Sequence, residues 1–275
     1  MKHAKRKKPP KLARLLGSAV GGTPKPVAFV LAGHNGSGKS TLWKERLSPS
    51  LKIPLVNADR LTASILPERE LKTGKMPRWA ENLRDKDDRW QRLSQDAVRA
   101  LVHLIMANRM PFATETVFSH WKEREDGTVE SKADLICELQ TAGYYVVLIF
   151  VGLVSSAISA LRVVQRSREG GHSVPLDKIV ARFPRTQKAI GHAAPIADMT
   201  IMFDNSFDER RAFSLVRVQQ GKTVLFDCRD VAFVASKDLR RVATRWLQCV
   251  VGEWEAVGAT KKAKGRGRRR KSNAR

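Results

Sequence analysis

The eight residues Gly33 to Ser40, GHNGSGKS, follow directly on the apolar run Val27 to Ala32, VAFVLA. A short apolar run bounded by Pro26 and Gly33 reads as a strand buried on both faces. The spacing Gly-x4-Gly-Lys-Ser is met in full by Gly33, Gly38, Lys39 and Ser40. Its physical purpose is anion binding. Glycines let successive N–H groups turn inward to form a nest, and the helix that starts near Ser40 adds the positive end of its dipole. Lys39 is then placed for the β- and γ-phosphates of ATP and the Ser40 hydroxyl for Mg²⁺. His34, Asn35, Gly36, Ser37 and Thr41 complete the cradle. A glycine-rich surface turn would explain neither the lysine nor the flanking elements.

A second strand, Ile53 to Asn57, comes after the loop and its helix, with Pro49 and Pro54 interrupting between them. Strand, loop, helix and strand in that order predict parallel pairing with right-handed crossovers. Residues 86–109 read as a long helix with Trp90, Leu93, Ala97, Leu101 and Leu104 as its apolar stripe. Phe112 to Val117 gives a short strand, Lys132 to Ala142 a helix, and Tyr144 to Gly152 the most β-prone run of the chain. Helices are predicted over 155–168 and from Pro175 through Arg185, separated by Gly170-Gly171. Asp198 to Phe203 reads as a strand, 212–227 as a hairpin turning at Gln220-Gly221, and 237–255 as an amphipathic helix. The fold class is therefore α/β: a P-loop kinase-like, mostly parallel sheet flanked by helices, ending in a hairpin and helix.

The chain of 275 residues carries a net charge of +24, and 17 of those charges lie at its two ends. Residues 1–25 hold eight Lys/Arg and residues 256–275 nine, with no acidic residue in either segment, which leaves +7 for residues 26–255. Blocks of like charge repel themselves, so both ends read as basic disordered tails around a folded body over 26–255. They suit nonspecific contact with nucleic acid through counterion release; the C-terminal segment has no aromatic on which bases could stack. The alternative is that they only solubilise the protein. The first residues superficially suggest a secretory signal, but Arg14 and Gly17 break their apolar part. No apolar run approaches the roughly 20 residues of a membrane helix, so no membrane insertion is expected. Three scattered cysteines, Cys137, Cys228 and Cys249, form no metal or disulfide pattern and point to a reducing, cytoplasmic setting.

In open parallel sheets ligands lie at the carboxyl ends of strands. Asp59, after the second strand, is there a candidate general base or an N-cap. Glu115, with Thr116 beside it, is a candidate for the acceptor or a Mg²⁺-bound water, or a solvated loop charge. Arg162 and Arg166 stand one helical turn apart, and Arg182 and Arg185 repeat the theme beyond the glycine pair. Two arginine-bearing helices on a glycine hinge resemble a lid over a triphosphate, since the guanidinium fork suits phosphate oxygens. The other reading is a solvated basic face. His172 reads as a hinge-packing residue.

The segments GHNGSGKST, VNADRL, FATETVFS, RVVQRSREGGHSVPLDKIVARF and MFDNS, in that order, resemble the zeta toxin family of P-loop kinases. The resemblance implies an α/β kinase using ATP and Mg²⁺, with UDP-N-acetylglucosamine as acceptor and an antitoxin protein as partner. It assigns Lys39 and Ser40 to ATP·Mg²⁺, Asp59 to the base, and Glu115 to the acceptor. Arg162 or Arg166 would contact phosphate, with Arg182 as a further contact on the substrate side. Val117 stands nearest the position of a threonine expected to contact the sugar nucleotide. A kinase acting on nucleic-acid ends and an ATP-binding switch without transferase activity are the competing readings.

Overall fold

The computed structural model describes residues 6–68, 76–169 and 174–253. Its strands are β1 (Val27–Gly33), β2 (Leu55–Val56), β3 (Phe112–Thr116), β4 (Trp121–Glu123), β5 (Val129–Ser131), β6 (Tyr145–Gly152), β7 (Met199–Asp204), β8 (Ser214–Gln220) and β9 (Thr223–Asp227). Its helices are α1 (Leu12–Gly21), α2 (Lys39–Leu42), α3 (Ser48–Leu51), α4 (Ala58–Ser64), α5 (Arg78–Lys86), α6 (Asp88–Ala107), α7 (Ala133–Thr141), α8 (Ser156–Arg168), α9 (Leu176–Ala193) and α10 (Lys237–Val251).

Among the described residues seven strands form one sheet in the order β2-β3-β1-β6-β7-β8-β9, and β4 pairs with β5 in a second. The first five strands of the sheet run parallel, while β8 and β9 are antiparallel. This is the α/β, mostly parallel architecture read from the sequence. Strand β1 at the centre is buried at all seven positions, and β6 beside it at all but Tyr145. Continuous apolar strands are what a sheet covered on both faces requires. The register aligns Leu31 with Glu115, Val56 with Thr114, Gly33 with Val151 and Gly152 with Asp204. The carboxyl ends of β1, β2, β3, β6 and β7 therefore finish on one rim.

Several elements differ from the sequence reading. Helix α1 lies inside the segment expected to be a disordered tail, and its Leu15, Leu16 and Ala19 join the buried core. The basic side chains flank an apolar face there, and burying that face outweighs the local charge. After the phosphate loop the chain stays helical to Leu51, through a wide π turn over Trp43–Leu47. Pro49 does not interrupt it, because proline is tolerated in the first turn of α3. Helix α6 begins at Asp88, with the Asp87 carboxylate accepting from Arg89 N and Trp90 N. Its inward face is Ser94, Val98, Val102 and Ile105, while Leu93, Leu101 and Leu104 are exposed. The buried arc is displaced from the expected stripe because β2 and α4 meet the helix there. Helix α9 continues past Pro184, which is exposed, to Ala193. The β4–β5 hairpin was not expected. The hairpin of β8 and β9 and helix α10 were, and α10 seals the core with Ala243, Trp246, Leu247 and Val250. Among the described residues no helix is long and apolar enough to cross a membrane.

Candidate active site

The loop between β1 and α2 is shaped by what surrounds it. Gly38 has φ 92°, and a Cβ there would stand 2.7 Å from Asn205 Nδ2 and 3.2 Å from the Phe213 ring. Gly36 has φ 66°, and its Cβ would come within 3.0 Å of Ser159 O and 3.1 Å of Arg162 Cβ. Left-handed backbone and close packing together leave only glycine at both positions.

Lys39 is buried, and its Nζ donates to the carbonyl oxygens of Gly33 (3.2 Å) and His34 (3.0 Å). Burial pulls its pKa below the usual lysine value; Glu115 and Asp59 oppose this, and Arg166 reinforces it. The ammonium thus feels two carboxylates and one guanidinium that sequence reading had singled out. Ser40 Oγ donates to the Glu115 carboxylate, 2.9 Å from Oε1 and 3.1 Å from Oε2. Asn57 Nδ2 donates to Glu115 Oε2 at 2.9 Å. Glu115 is therefore tied into the phosphate-loop side rather than standing as a solvated loop charge.

Asp59 is exposed in the first turn of α4. The N-cap of that helix is Asn57, whose Oδ1 accepts from Arg60 N at 3.1 Å, so capping does not occupy Asp59. Arg162 lies half-buried against the loop, and its Nη2 donates to Phe207 O at 3.3 Å. Arg166, one turn on, is exposed and within electrostatic reach of Lys39. Arg182 is half-buried on α9, whereas Arg185 is exposed and donates through Nε to Ala181 O. The structure thus brings Arg162 and Arg166 to the loop but engages Arg185 on its own helix. The glycine hinge and His172 lie outside the described residues. Thr116 is half-buried at the end of β3, and Thr41 is exposed on α2.

Two further side-chain contacts hold the loop, and sequence reading missed them. Ser159 Oγ, on α8, donates to Asn35 O at 2.5 Å. Asn205, after β7, donates through Nδ2 to Ser37 O at 2.8 Å and accepts from Phe213 N at 3.3 Å. Beneath it, the buried Asp204 carboxylate accepts from Trp246 Nε1 at 2.7 Å and from Ser206 Oγ at 3.0 Å. Burial pushes the Asp204 pKa up, against the pull of these donors and of Arg162. The strand-end segment MFDNS was visible as a pattern; the reach of its asparagine across 168 positions was not.

Among the described residues no group of three or more His, Cys, Asp or Glu could by itself hold a metal ion. Ser40 and Glu115 nonetheless fit Mg²⁺, which takes one or two protein oxygens and completes its shell with phosphates and water. A hydroxyl and a carboxylate side by side at the mouth of a phosphate loop are donors of the kind such an ion takes.

The family model described as "Zeta toxin" matches residues 17–229. Among solved structures, one from the PezAT chromosomal toxin-antitoxin system of Streptococcus pneumoniae is 15% identical, with 89% of this chain and 87% of that chain covered and a TM-score of 0.47. The AvrRxo1-ORF1:-ORF2 structure with ATP is 16% identical at a TM-score of 0.52, covering 77% of this chain and 64% of that one. The same complex with sulphate ions is 15% identical at 0.52, covering 88% and 82%. At these identities the last two likenesses concern the fold. None of the curated proteins compared matches the chain in sequence.

Proposed function

The chain belongs to the zeta toxin family of ATP-dependent kinases, and on that premise we propose that it moves the γ-phosphoryl group of ATP to a hydroxyl of a small acceptor, UDP-N-acetylglucosamine being the first candidate. The observation that carries this reading is the convergence of Lys39, Ser40, Asn57 and Glu115 at one rim of the parallel sheet. In the proposed complex Lys39 leaves the loop carbonyls for the β- and γ-phosphates, and the inward N–H groups of residues 33–40 take the remaining phosphate charge. Ser40 and Glu115 would hold Mg²⁺, which when bound neutralises phosphate charge and orients the chain of phosphates.

Asp59 accepts the proton of the acceptor hydroxyl as its oxygen bonds to the γ-phosphorus, and the bond from that phosphorus to the β–γ bridging oxygen breaks to release ADP. Arg162 and Arg166 stabilise the charge that spreads over the phosphoryl oxygens, a role worth about 10³–10⁵ in rate where measured. Thr116 and Arg182 would contact the acceptor, as would Glu115 from its place beside Ser40. An antitoxin-like protein partner and a cytoplasmic setting belong to the same reading.

A kinase for nucleic-acid ends is the second reading, favoured by the cationic residues 256–275. Screening UDP-sugars, nucleosides and oligonucleotides as acceptors of labelled phosphate separates the two. Asp59→Asn is expected to bind ATP normally and to lose at least about 10²-fold in transfer. Full transfer by that variant would remove the base assignment. ATP hydrolysis that no acceptor stimulates would favour a switch protein instead.

A further inference from the structure

The side chain of His34, the second residue of the loop, takes no part in the chemistry above, yet the residue is 2% exposed. Its imidazole stacks on Phe183 of α9, with centroids 3.9 Å apart and planes 12° from parallel. The ring also meets Phe150 of β6 edge-on at 5.7 Å. Among the described residues neither ring nitrogen has a hydrogen-bond partner. Burying an imidazole so gives up hydration without replacing it, which is unfavourable. What it gains is contact with two phenylalanine rings, and stacked or edge-on aromatic pairs are stabilising beyond the area they bury.

Those contacts fix a residue whose backbone matters. The His34 carbonyl accepts from Lys39 Nζ at 3.0 Å and from Ser37 N at 3.2 Å. Holding the ring holds that carbonyl, and with it the turn that aims Ser37, Gly38 and Lys39. Phe183 comes one position after Arg182. Three positions further on, the Thr186 hydroxyl reaches Val117 O at 3.5 Å, just past Glu115. Residues three apart share a helix face, so α9 touches the phosphate side of the site and the acceptor side from one surface.

We propose that Phe183 is a positioning residue for ATP: its ring, stacked on His34, keeps the phosphate loop in the conformation that receives the polyphosphate. The inference rests on reading the loop as the ATP site. It makes a demand that apolar filling alone would not, since the requirement is for an aromatic ring and not for volume.

The test measures binding of a non-hydrolysable ATP analogue with Mg²⁺ to the full chain by calorimetry, together with kcat and KM for ATP. Phe183→Leu keeps apolar bulk without a ring, and Phe183→Tyr keeps the ring. The leucine variant is expected to weaken analogue binding about tenfold, with kcat at saturating ATP within about twofold of wild type, because a better-ordered loop favours ground and transition states alike. The tyrosine variant should bind within about twofold of wild type, as expected if the stacked ring is what matters. Wild-type affinity in a folded Phe183→Leu protein overturns the inference. Should that variant not fold, His34→Leu serves instead: the same tenfold loss supports the proposal, and unchanged affinity overturns it. If the wild-type chain itself binds no analogue, the ATP-site reading falls too; binding that is equal in all variants removes this inference alone.

Discussion

Replacing His34 by Gln should remove a defined part of the protein's sensitivity to acid. Burial, reinforced by the neighbouring Lys39 ammonium, lowers the His34 pKa from its ordinary 6.5 to about 3. The folded protein therefore binds this proton more weakly than the unfolded chain. Between those two values the unfolded state carries the extra proton, so stability rises with pH. The contribution is complete above pH 6.5 and is lost as pH falls toward 3. One proton of difference corresponds to about 1.4 kcal/mol per pH unit, so moving from pH 8 to pH 5 should cost about 2 kcal/mol through this residue. The assay is urea unfolding at pH 8, 7, 6 and 5 for wild type and His34→Gln. Carboxylates titrate in both proteins and drop out of the difference. Wild type should be the steeper of the two by about 2 kcal/mol over the range. Parallel pH profiles would refute the claim that a neutral, unhydrated imidazole sits under the phosphate loop.

Three other changes test the surroundings of the site. Asn205→Ala leaves Ser37 O and Phe213 N buried without their partners, and should lower stability by about 2–4 kcal/mol while weakening ATP binding; an unchanged urea midpoint would count against the clamp. Trp246→Phe keeps a ring against Gly152 but removes the indole donor to Asp204, at a cost of about 1.5–3 kcal/mol. Because burial already raises the Asp204 pKa, the carboxylate's contribution is fullest at low pH and falls as pH rises through the folded value. The deficit of that variant should therefore be larger at pH 8 than at pH 4, and equal deficits would show that the indole does not serve the ionised form. Glu115→Gln should raise the Mg²⁺ concentration for half-maximal phosphotransfer about tenfold or more, since a carboxylate is the harder ligand; an unaltered Mg²⁺ titration would exclude Glu115 from ion binding.

Much of this architecture was legible in the residues because its strands are short, apolar and set off by Gly or Pro. VAFVLA and YYVVLIFVG could be little else in a chain that alternates with helical segments. The phosphate loop was equally plain, as its glycines answer to local backbone geometry. What escaped was determined at a distance. Asn57 and Asn205 are small polar residues whose partners lie 58 and 168 positions away, and no local pattern marks such a reach. Ser159 looks like any helical serine until α8 lies on the loop. The β4–β5 hairpin has strands of three residues, too few to show alternation. Its Trp121 is held by Lys188 and edge-on to His192, both on α9. Helix α6 was placed correctly but turned wrongly, since the most apolar arc of an amphipathic helix need not be the one its neighbours cover. Helix α1 was hidden by composition: counting lysines over residues 1–25 concealed the Leu15, Leu16 and Ala19 face within them.

The place where α9 and α10 cross bears on how the protein should be handled. At Gly191 even one added carbon would stand 2.1 Å from Val250 O, and Trp246 fits against Gly152 with no room for a methyl group. The segment that resembles the family stops at residue 229, short of every residue of α10. A recombinant fragment trimmed to that boundary would uncover the face of Phe150 that Trp246 meets and take the indole donor from the buried Asp204 carboxylate. The smallest fragment worth expressing runs through Val251.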